Sequence, residues 1–199
     1  MKHSYHLLPL HRLDRGIRHA RPKQRLPRRI TTDDPALSVM TDLCQVTAVT
    51  TELSTPLGKG LDMMVKRGVR VLLVVGADDN ILGLITSRDV DGEKVNRILA
   101  KTDCTREDLF VSDVMTLRAK LEVLMMEDIL DARVGDIIAT LRKVNRQHAL
   151  VLDTDPETEI PTVRGIFSLS EIGSRLGLDI NRSRQPTTYA ELEKAGAAL

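Results

Sequence analysis

An internal repeat is the feature that most constrains this chain of 199 residues. Residues 53–75 match residues 130–152 with a constant shift of 77, and residues 83–90 match residues 165–172 with a shift of 82. A period of this length exceeds the unit of repeat arrays, which runs to about 50 residues. We therefore predict two similar modules related by a pseudo-twofold axis. We expect the binding site to lie in the cleft between them.

Hydrophobic patterning gives both modules the same order of elements, β-α-β-β-α. The first module has predicted strands at residues 45–51, 69–75 and 81–86, and predicted helices at residues 55–67 and 87–100. The second has predicted strands at residues 121–126, 148–152 and 163–167, and predicted helices that begin near residues 131 and 170. Two entry sequences, SVMT at residue 38 and SDVMT at residue 112, precede the modules and extend the repeat.

The first helix of each module carries apolar residues at helical spacing. The predicted core-facing stripe is formed by Leu57, Leu61, Met64 and Val65 in the first module, and by Val134, Ile138 and Leu141 in the second. Thr55 and Asp131 are positioned to cap these helices, and Gly68 suits the left-handed position after a helix end.

These patterns predict an α+β fold in which two pseudo-symmetric β-α-β-β-α modules pack sheet to sheet. We assign residues 1–37 to a basic N-terminal arm, extended or disordered, and residues 179–199 to a polar C-terminal tail. The modules themselves occupy residues 38–104 and 105–178.

Several classes of protein are disfavoured by the sequence. The longest apolar run, residues 71–75, is far too short to cross a membrane, and the N-terminus lacks the apolar region of a secretory signal. Cys44 and Cys104 have no metal-ligand spacing. There is no Gly-rich phosphate loop, zinc signature or nucleophile elbow. We expect a cytoplasmic protein with no catalysis of its own, no metal and no catalytic cofactor.

The charge of the chain is distributed unevenly. Residues 1–30 contain nine Lys or Arg and one acidic residue, Asp14, a net charge of +8, which leaves −7 for the other 169 residues. Such an arm can contact nucleic acid or an acidic partner by charge alone. Its single aromatic residue, Tyr5, gives it no platform for stacking bases.

The most specific local signal is the segment Gly83-Leu-Ile-Thr86-Ser-Arg88-Asp89-Val90, which recurs as Gly-Ile-Phe-Ser168-Leu-Ser-Glu171-Ile. It resembles the cystathionine-β-synthase (CBS) domain family. That family has a strand ending in Gly-hydrophobic-hydrophobic-Ser/Thr-x-x-Asp, preceded by an amphipathic helix and an apolar strand. The resemblance covers residues 38–177 as two copies, which would form one Bateman module in a stand-alone protein.

The resemblance implies a regulatory protein that senses a ligand. CBS pairs commonly bind adenine nucleotides in clefts between the copies, so AMP, ADP or ATP is the expected ligand. The family pattern assigns Asp89 to the ribose hydroxyls and Thr86 to the ribose or a phosphate, with Arg88 between them. A helix start beside these residues would suit a phosphate.

The remaining expected contacts surround this motif. Backbone edges from Val46 to Val49, including Thr47, would face the base, and Arg70 and His148 would contact phosphate. The second copy departs from the family pattern at Ser168 and Glu171, so we expect one better site and one weaker or empty site.

Structural alternatives explain the same residues. Thr86 with Asp89, and Ser168 with Glu171, also satisfy the pattern of a helix capping box without any ligand. His148 alternates with apolar neighbours, as a hydrogen-bonded core histidine would.

Partners follow less directly. Twofold pairing through the helices of the CBS modules predicts a homodimer whose signal is read by an unknown effector protein. The alternative function is a CBS-pair dimerisation scaffold whose basic arm contacts nucleic acid or an acidic partner.

Overall fold

The computed structural model describes residues 24–178. Residues 1–23 of the predicted arm and the whole predicted tail, residues 179–199, lie outside the described part of the chain. Within residues 24–178, no helix combines the length and the apolar character needed to span a membrane.

Within residues 24–178, eight strands form two four-stranded sheets, and the chain also forms seven α-helices. The strands are β1 (Thr41–Asp42), β2 (Thr50–Thr51), β3 (Val71–Val75), β4 (Ile81–Thr86), β5 (Thr116–Leu117), β6 (Val123–Met125), β7 (His148–Thr154) and β8 (Pro161–Ser168). The helices are α1 (Leu57–Arg67), α2 (Ser87–Asp91), α3 (Glu93–Leu99), α4 (Val111–Val114), α5 (Met126–Ile129), α6 (Val134–Lys143) and α7 (Leu169–Arg175). One sheet has the order β2-β3-β4-β5, and the other has the order β1-β8-β7-β6.

The two sheets pack face to face, which confirms the predicted α+β fold. Leu73 and Leu84 from the first sheet and Leu150 from the second are buried in one cluster between them. Each half contains an antiparallel hairpin, formed by β3 and β4 in the first half and by β7 and β8 in the second. A short strand lies parallel to the first strand of each hairpin, β2 beside β3 and β6 beside β7. This is the repeated β-β-β core expected from the sequence.

The helix stripes differ between the halves. Val134, Ile138 and Leu141 of α6 are all buried, as predicted. In α1 the prediction is correct for Leu57 and Met64 but wrong for Val65, which is 73% exposed. Gly60 takes the inward position instead, because the missing side chain lets α1 approach Val111 closely.

Several predicted element ends shift in the structure. Of the strand predicted over residues 45–51, only Thr50–Thr51 pairs, and the helix predicted over residues 87–100 breaks into α2 and α3 at Gly92. A side chain at Gly92 would collide with the Arg88 carbonyl, which explains the glycine. Neither Thr55 nor Asp131 caps a helix. The Thr55 hydroxyl accepts from Thr51 and Glu52, and the carboxylate nearest the start of α6 belongs to Asp136.

Each half is completed by the entry segment of the other half. Residues 30–40, partly assigned to the N-terminal arm, bury Ile30, Ala36 and Val39 in the core of the second half. Residues 109–117, assigned to the second module, bury Leu109 and Val111 in the core of the first half. A division of the chain between residues 104 and 105 therefore does not separate the two cores.

Backbone hydrogen bonds repeat this exchange with pseudo-twofold symmetry. The Val111 N–H donates to the Thr55 carbonyl at 2.9 Å, and the Ala36 N–H donates to the Ala132 carbonyl at 2.8 Å. Thr55 and Ala132 are equivalent by the shift of 77. The two entry segments thus dock on equivalent places in opposite halves.

The motif glycines lie where the entry strands β1 and β5 pair with the edges of the two sheets. β5 pairs with β4 so that Gly83 lies opposite Leu117, and β1 pairs with β8 so that Gly165 lies opposite Asp42. A side chain at Gly83 would overlap the Thr116 carbonyl, and one at Gly165 would overlap Met40. The glycine of each CBS-like motif is therefore required by packing of the entry segment, whether or not a ligand binds.

An ion pair fixes the first entry strand. The buried Asp42 carboxylate accepts two bonds from the Arg164 guanidinium, at 2.8 and 3.0 Å, and further bonds from the Cys44 N–H and the Gln45 amide. Hydrogen bonding to Arg164 holds the pKa of Asp42 well below its usual range and raises the pKa of Arg164. The pair's contribution to stability is therefore present at neutral pH and is lost as the pH falls through the lowered pKa of Asp42.

Substitution of Gly83 by alanine tests the exchange directly. We expect Gly83→Ala to lower the free energy of unfolding by about 1 to 3 kcal/mol, because the new methyl group displaces the backbone of Thr116 in β5. Gly58→Ala is the matched control, since no atom lies within 4 Å of the added group and alanine favours the α1 helix. Urea unfolding followed by circular dichroism measures both. Equal stability of the two variants would contradict the packing role of Gly83.

Candidate ligand-binding site between the two halves

Residues from both halves of the chain surround one small cavity between the sheets. Thr86, Arg88 and Asp89 contribute from the first half. The second half contributes the segment Leu121–Glu122 and the turn at residues 145–148, which ends at His148. The cavity has a volume of about 160 Å³. The sequence motif and the predicted histidine are thus brought together although 59 residues separate Asp89 from His148.

The strand β4 ends at this cavity, and α2 begins there. The Asp89 carboxylate oxygen Oδ2 accepts from the Thr86 N–H at 2.8 Å and from the Thr86 hydroxyl at 2.7 Å, and the Asp89 N–H donates to that hydroxyl at 3.3 Å. The capping box predicted as an alternative therefore forms. It occupies only one carboxylate oxygen. Within residues 24–178 no hydrogen bond reaches Oδ1 of Asp89, so this oxygen is left to accept from another group.

The predicted phosphate site at a helix start is altered by the break at Gly92. α2 has only five residues, so its dipole is that of little more than one turn. Attraction of an anion to this cavity therefore depends mainly on side-chain cations.

His148 lies at the start of β7, opposite Ser168 of β8, and forms part of the cavity wall. Its Nδ1 atom is buried and has no hydrogen-bond partner in the described part of the chain. Burial is the main cause that lowers the pKa of His148 to about 4, and the positive charges of Arg70 and Arg88 contribute to this shift. The imidazole is neutral at pH 7 and presents an unsatisfied polar atom, which differs from the hydrogen-bonded core histidine considered above.

Lys94 joins this site although the sequence did not indicate it. Its ammonium group donates to the carbonyls of Val114 and Met115, the latter at 2.7 Å. Burial lowers the pKa of Lys94, while the nearby Asp89 charge raises it. The continuous helix predicted over residues 87–100 gave no reason to group Lys94 with Asp89. The break at Gly92 redirects α3 and brings the two charges together.

The residues that line the cavity carry two positive and two negative charges, and two further cations lie nearby. Arg88 and Arg146 line it together with two acidic residues, Asp89 and Glu122. Asp89 is close enough to Lys94 for its charge to raise the pKa of that lysine, and Arg70 is close enough to His148 for its charge to lower the pKa of that histidine. Arg70 is solvent-exposed and does not itself line the cavity. Four cations around two carboxylates favour an anionic ligand.

The second motif is arranged differently. Glu171 pairs with Arg175 on its own helix at 2.6 Å, and the Ser168 and Ser170 hydroxyls lie 3.0 Å apart. Ser168 caps no helix N–H, so the capping box considered for this copy does not form. Ser168 and Glu171 line neither the small cavity nor the large cleft described below. The glutamate is already matched by a cation.

The predicted base-binding segment lies elsewhere. Thr50 pairs with Leu73, and Val123 pairs with Leu150. Because Leu73 and Leu150 are equivalent by the shift of 77, residues 46–49 correspond to residues 119–122. Residues of the second segment, Leu121 and Glu122, adjoin Thr86 and Asp89. Val46 and Thr47 line a separate cleft, and Val49 packs against the first core. The structure thus places the equivalent segment of the other half beside the motif.

The described residues contain no group of three or more His, Cys, Asp or Glu side chains that could hold a metal ion. The cavity groups are suited to hydrogen bonding and ion pairing.

Comparison with known proteins gives one family and a set of similar folds. Residues 37–94 match the family model of the CBS domain. No curated protein matches the chain.

Three solved structures illustrate the likeness of fold. An uncharacterised conserved protein from Pyrococcus horikoshii is 20% identical, with 80% of this chain and 100% of that chain covered and a TM-score of 0.52. A putative signal-transduction protein with CBS domains from Burkholderia ambifaria is 20% identical over 71% of this chain and 89% of that chain, with a TM-score of 0.49. A CBS domain pair in complex with 5′-methylthioadenosine and S-adenosyl-L-methionine is 18% identical over 73% of this chain and 97% of that chain, with a TM-score of 0.48.

The state of His148 can be measured in solution. We expect its imidazole signals in NMR spectra to titrate near pH 4, because burial and neighbouring arginines disfavour the charged form. Since the unfolded chain binds this proton more readily, stability should fall as the pH drops from 6.5 towards 4. The spectrum of His148→Gln assigns the signals among the five histidines. A midpoint near 6.5 would show that this imidazole is solvated.

Proposed function

We propose that this chain, whose residues 37–94 match the CBS-domain family model, is a regulatory sensor that binds an adenine nucleotide between two CBS modules. The observation that supports this most strongly is the meeting of Asp89 from one half with His148 from the other across a single cavity. Each presents a polar atom without a hydrogen-bond partner in the described chain, Oδ1 of Asp89 and Nδ1 of His148. Buried polar atoms are normally paired, so the buried Nδ1 of His148 points to a bound molecule, and Oδ1 of Asp89 can accept a hydrogen bond from the same molecule.

A nucleotide fits the chemistry of these groups. A carboxylate oxygen accepts well from the hydroxyls of a ribose, and Arg88 and Arg146 provide donors for phosphate oxygens. The apolar side chains of Leu84, Leu121 and Leu150 form a wall against which a flat base can pack. The two arginines suit the phosphate groups of AMP, ADP or ATP, which a cationic adenosyl compound lacks.

Binding requires the cavity to widen. A volume of about 160 Å³ is below the about 300 Å³ of small ligand pockets, so a nucleotide must displace side chains. Arg88, Glu122 and Arg146 are exposed and can rotate into solvent. The widening is then shared by groups on both modules.

Regulation follows from the two-sided construction of the site. A ligand held by Asp89 on one module and His148 on the other binds most tightly to one angle between the modules, so it shifts the population towards that angle. An effector protein would detect the change. In this proposal the protein catalyses no reaction.

A homodimer remains part of the proposal. Val65, on the outer surface of α1, is 73% exposed and offers an apolar contact for pairing through the helices. The effector protein is identified only by this role, and the cytoplasmic location stays a prediction.

Calorimetry with AMP, ADP, ATP, NADH and S-adenosylmethionine tests the proposal. We expect a phosphate-bearing nucleotide to bind, and Asp89→Ala to weaken that binding about tenfold or more, because a hydrogen bond to a charged group contributes about 1.5 to 3 kcal/mol. Glu171→Ala should change affinity less than threefold, since Arg175 already occupies that carboxylate.

Asp108→Ala is the matched control for the loss of a helix cap. Asp108 accepts from the Thr105 N–H and hydroxyl at 2.8 Å each, nearly the geometry of Asp89 with Thr86, but it does not line the cavity. Its variant should bind normally. Binding by none of the five compounds, or a larger effect of Glu171→Ala than of Asp89→Ala, would refute the proposed site.

A further inference from the structure

A second, larger opening lies at the opposite end of the sheets from Thr86 and Asp89. Its volume is about 1110 Å³, and its walls include two pairs of equivalent residues, Leu73 with Leu150 and Val75 with Leu152. Because each pair relates the two halves by the shift of 77, this cleft lies on the pseudo-twofold axis. Its floor is apolar.

The rim of this cleft is acidic. Asp78 and Asp79, in the turn between β3 and β4, line it directly. The turn between β7 and β8 leads into the lining residues Ile160–Val163 and carries Asp155, Glu157 and Glu159. Backbone N–H groups of Thr158 and Glu157 hold the pKa of Asp155 below its usual value, which keeps this carboxylate ionised.

Among the described residues near the rim, few cations offset the charge of these acidic residues. Arg118 lines the cleft, and Arg164 is already paired with Asp42 and Asp153. An apolar floor inside an acidic rim is complementary to a segment that is both basic and apolar.

The described chain begins beside this cleft. The side-chain amide of Gln24 donates to the Met40 carbonyl and accepts from the Asp42 N–H, both at 2.8 Å, so Gln24 is clamped to the edge of β1. The next residues along that edge, Leu43, Cys44 and Gln45, line the cleft. The segment that precedes Gln24 therefore starts within a few residues of the rim.

That segment has the complementary composition. Residues 1–23 contain six Lys or Arg and one acidic residue, a net charge of +5. They also contain Leu10, Leu13 and Ile17, whose spacing of i, i+3 and i+7 places them on one face of a helix. The six residues between Ile17 and Gln24 can span about 20 Å, enough to reach into the cleft.

We propose that residues 1–23 bind in this cleft of the same molecule, with Leu10, Leu13 and Ile17 on the apolar floor and the basic residues against the acidic turns. This cleft and the nucleotide cavity open at opposite ends of the sheets and share the wall residues Leu121 and Leu150, and the inference does not depend on nucleotide binding. It assigns the basic arm to its own acidic body rather than to nucleic acid.

Cys44 provides an intrinsic probe of occupancy in the full-length chain. It lines the cleft and is exposed in the described structure, so a docked segment would cover it. Cys104 belongs to the first half and lies away from the cleft, which makes it an internal reference. The measurement is the rate at which N-ethylmaleimide labels each cysteine, read by peptide mass spectrometry.

The test variant replaces the apolar stripe, as Leu10→Asp, Leu13→Asp and Ile17→Asp together. We expect Cys44 to be labelled at least tenfold faster in this variant than in the parent, with Cys104 unchanged. A control variant with Ser4→Asp, His11→Asp and His19→Asp adds the same charge without changing the stripe, and its Cys44 rate should rise less than threefold.

Three results would overturn the proposal. The first is an equal Cys44 rate in parent and stripe variant. The second is an equal rise of the Cys44 rate in the stripe and control variants, which would show that added charge and not loss of the apolar contact causes the rise. The third is protection of Cys44 that disappears on dilution or that needs added DNA or RNA, which would assign the cleft to a second copy or to nucleic acid.

Discussion

Each hydrophobic core of this protein is completed by a segment that belongs to the other half of the chain. Residues 30–40 contribute to the second core, and residues 109–117 contribute to the first. Each segment then packs closely against a motif glycine at the edge of that half's sheet. Neither half can bury its apolar surface alone, so the halves are held at a defined separation. That separation fixes the cavity at one end of the sheets and the wide cleft at the other.

The pseudo-symmetry of the backbone is not matched by symmetry of charge, and this difference selects one ligand site. By the shift of 77, His148 corresponds to Val71, and by the shift of 82, Arg88 corresponds to Ser170 and Asp89 to Glu171. The first motif therefore faces a histidine and carries an arginine, whereas the second has neither equivalent. Arg175 neutralises Glu171 within its own helix. The internal repeat gives both halves a common backbone, and a few residue differences bring Arg88, Asp89 and His148 together in one cavity.

Local patterns in the sequence predicted the strands and helices well, but they did not predict that each entry segment packs in the core of the other half. Hairpin strands β4 and β8 and the buried face of α6 follow from apolar periodicity, and Gly68 ends α1 in the left-handed conformation as expected. No periodicity marks residues 30–40 as part of a distant core, because their burial depends on contacts more than 90 residues away. The same limit explains the site. Thr86 and Asp89 were found from their motif, but Leu121, Glu122 and Lys94 reach them only through the exchange and the break at Gly92.

Amide hydrogen exchange of the full-length chain, with and without the tightest-binding nucleotide, tests the central claim that one ligand joins both halves. The account predicts slower exchange in two segments at once, residues 86–91 of the first half and residues 145–148 of the second. Protection confined to one half, or centred on residues 43–50, would contradict it.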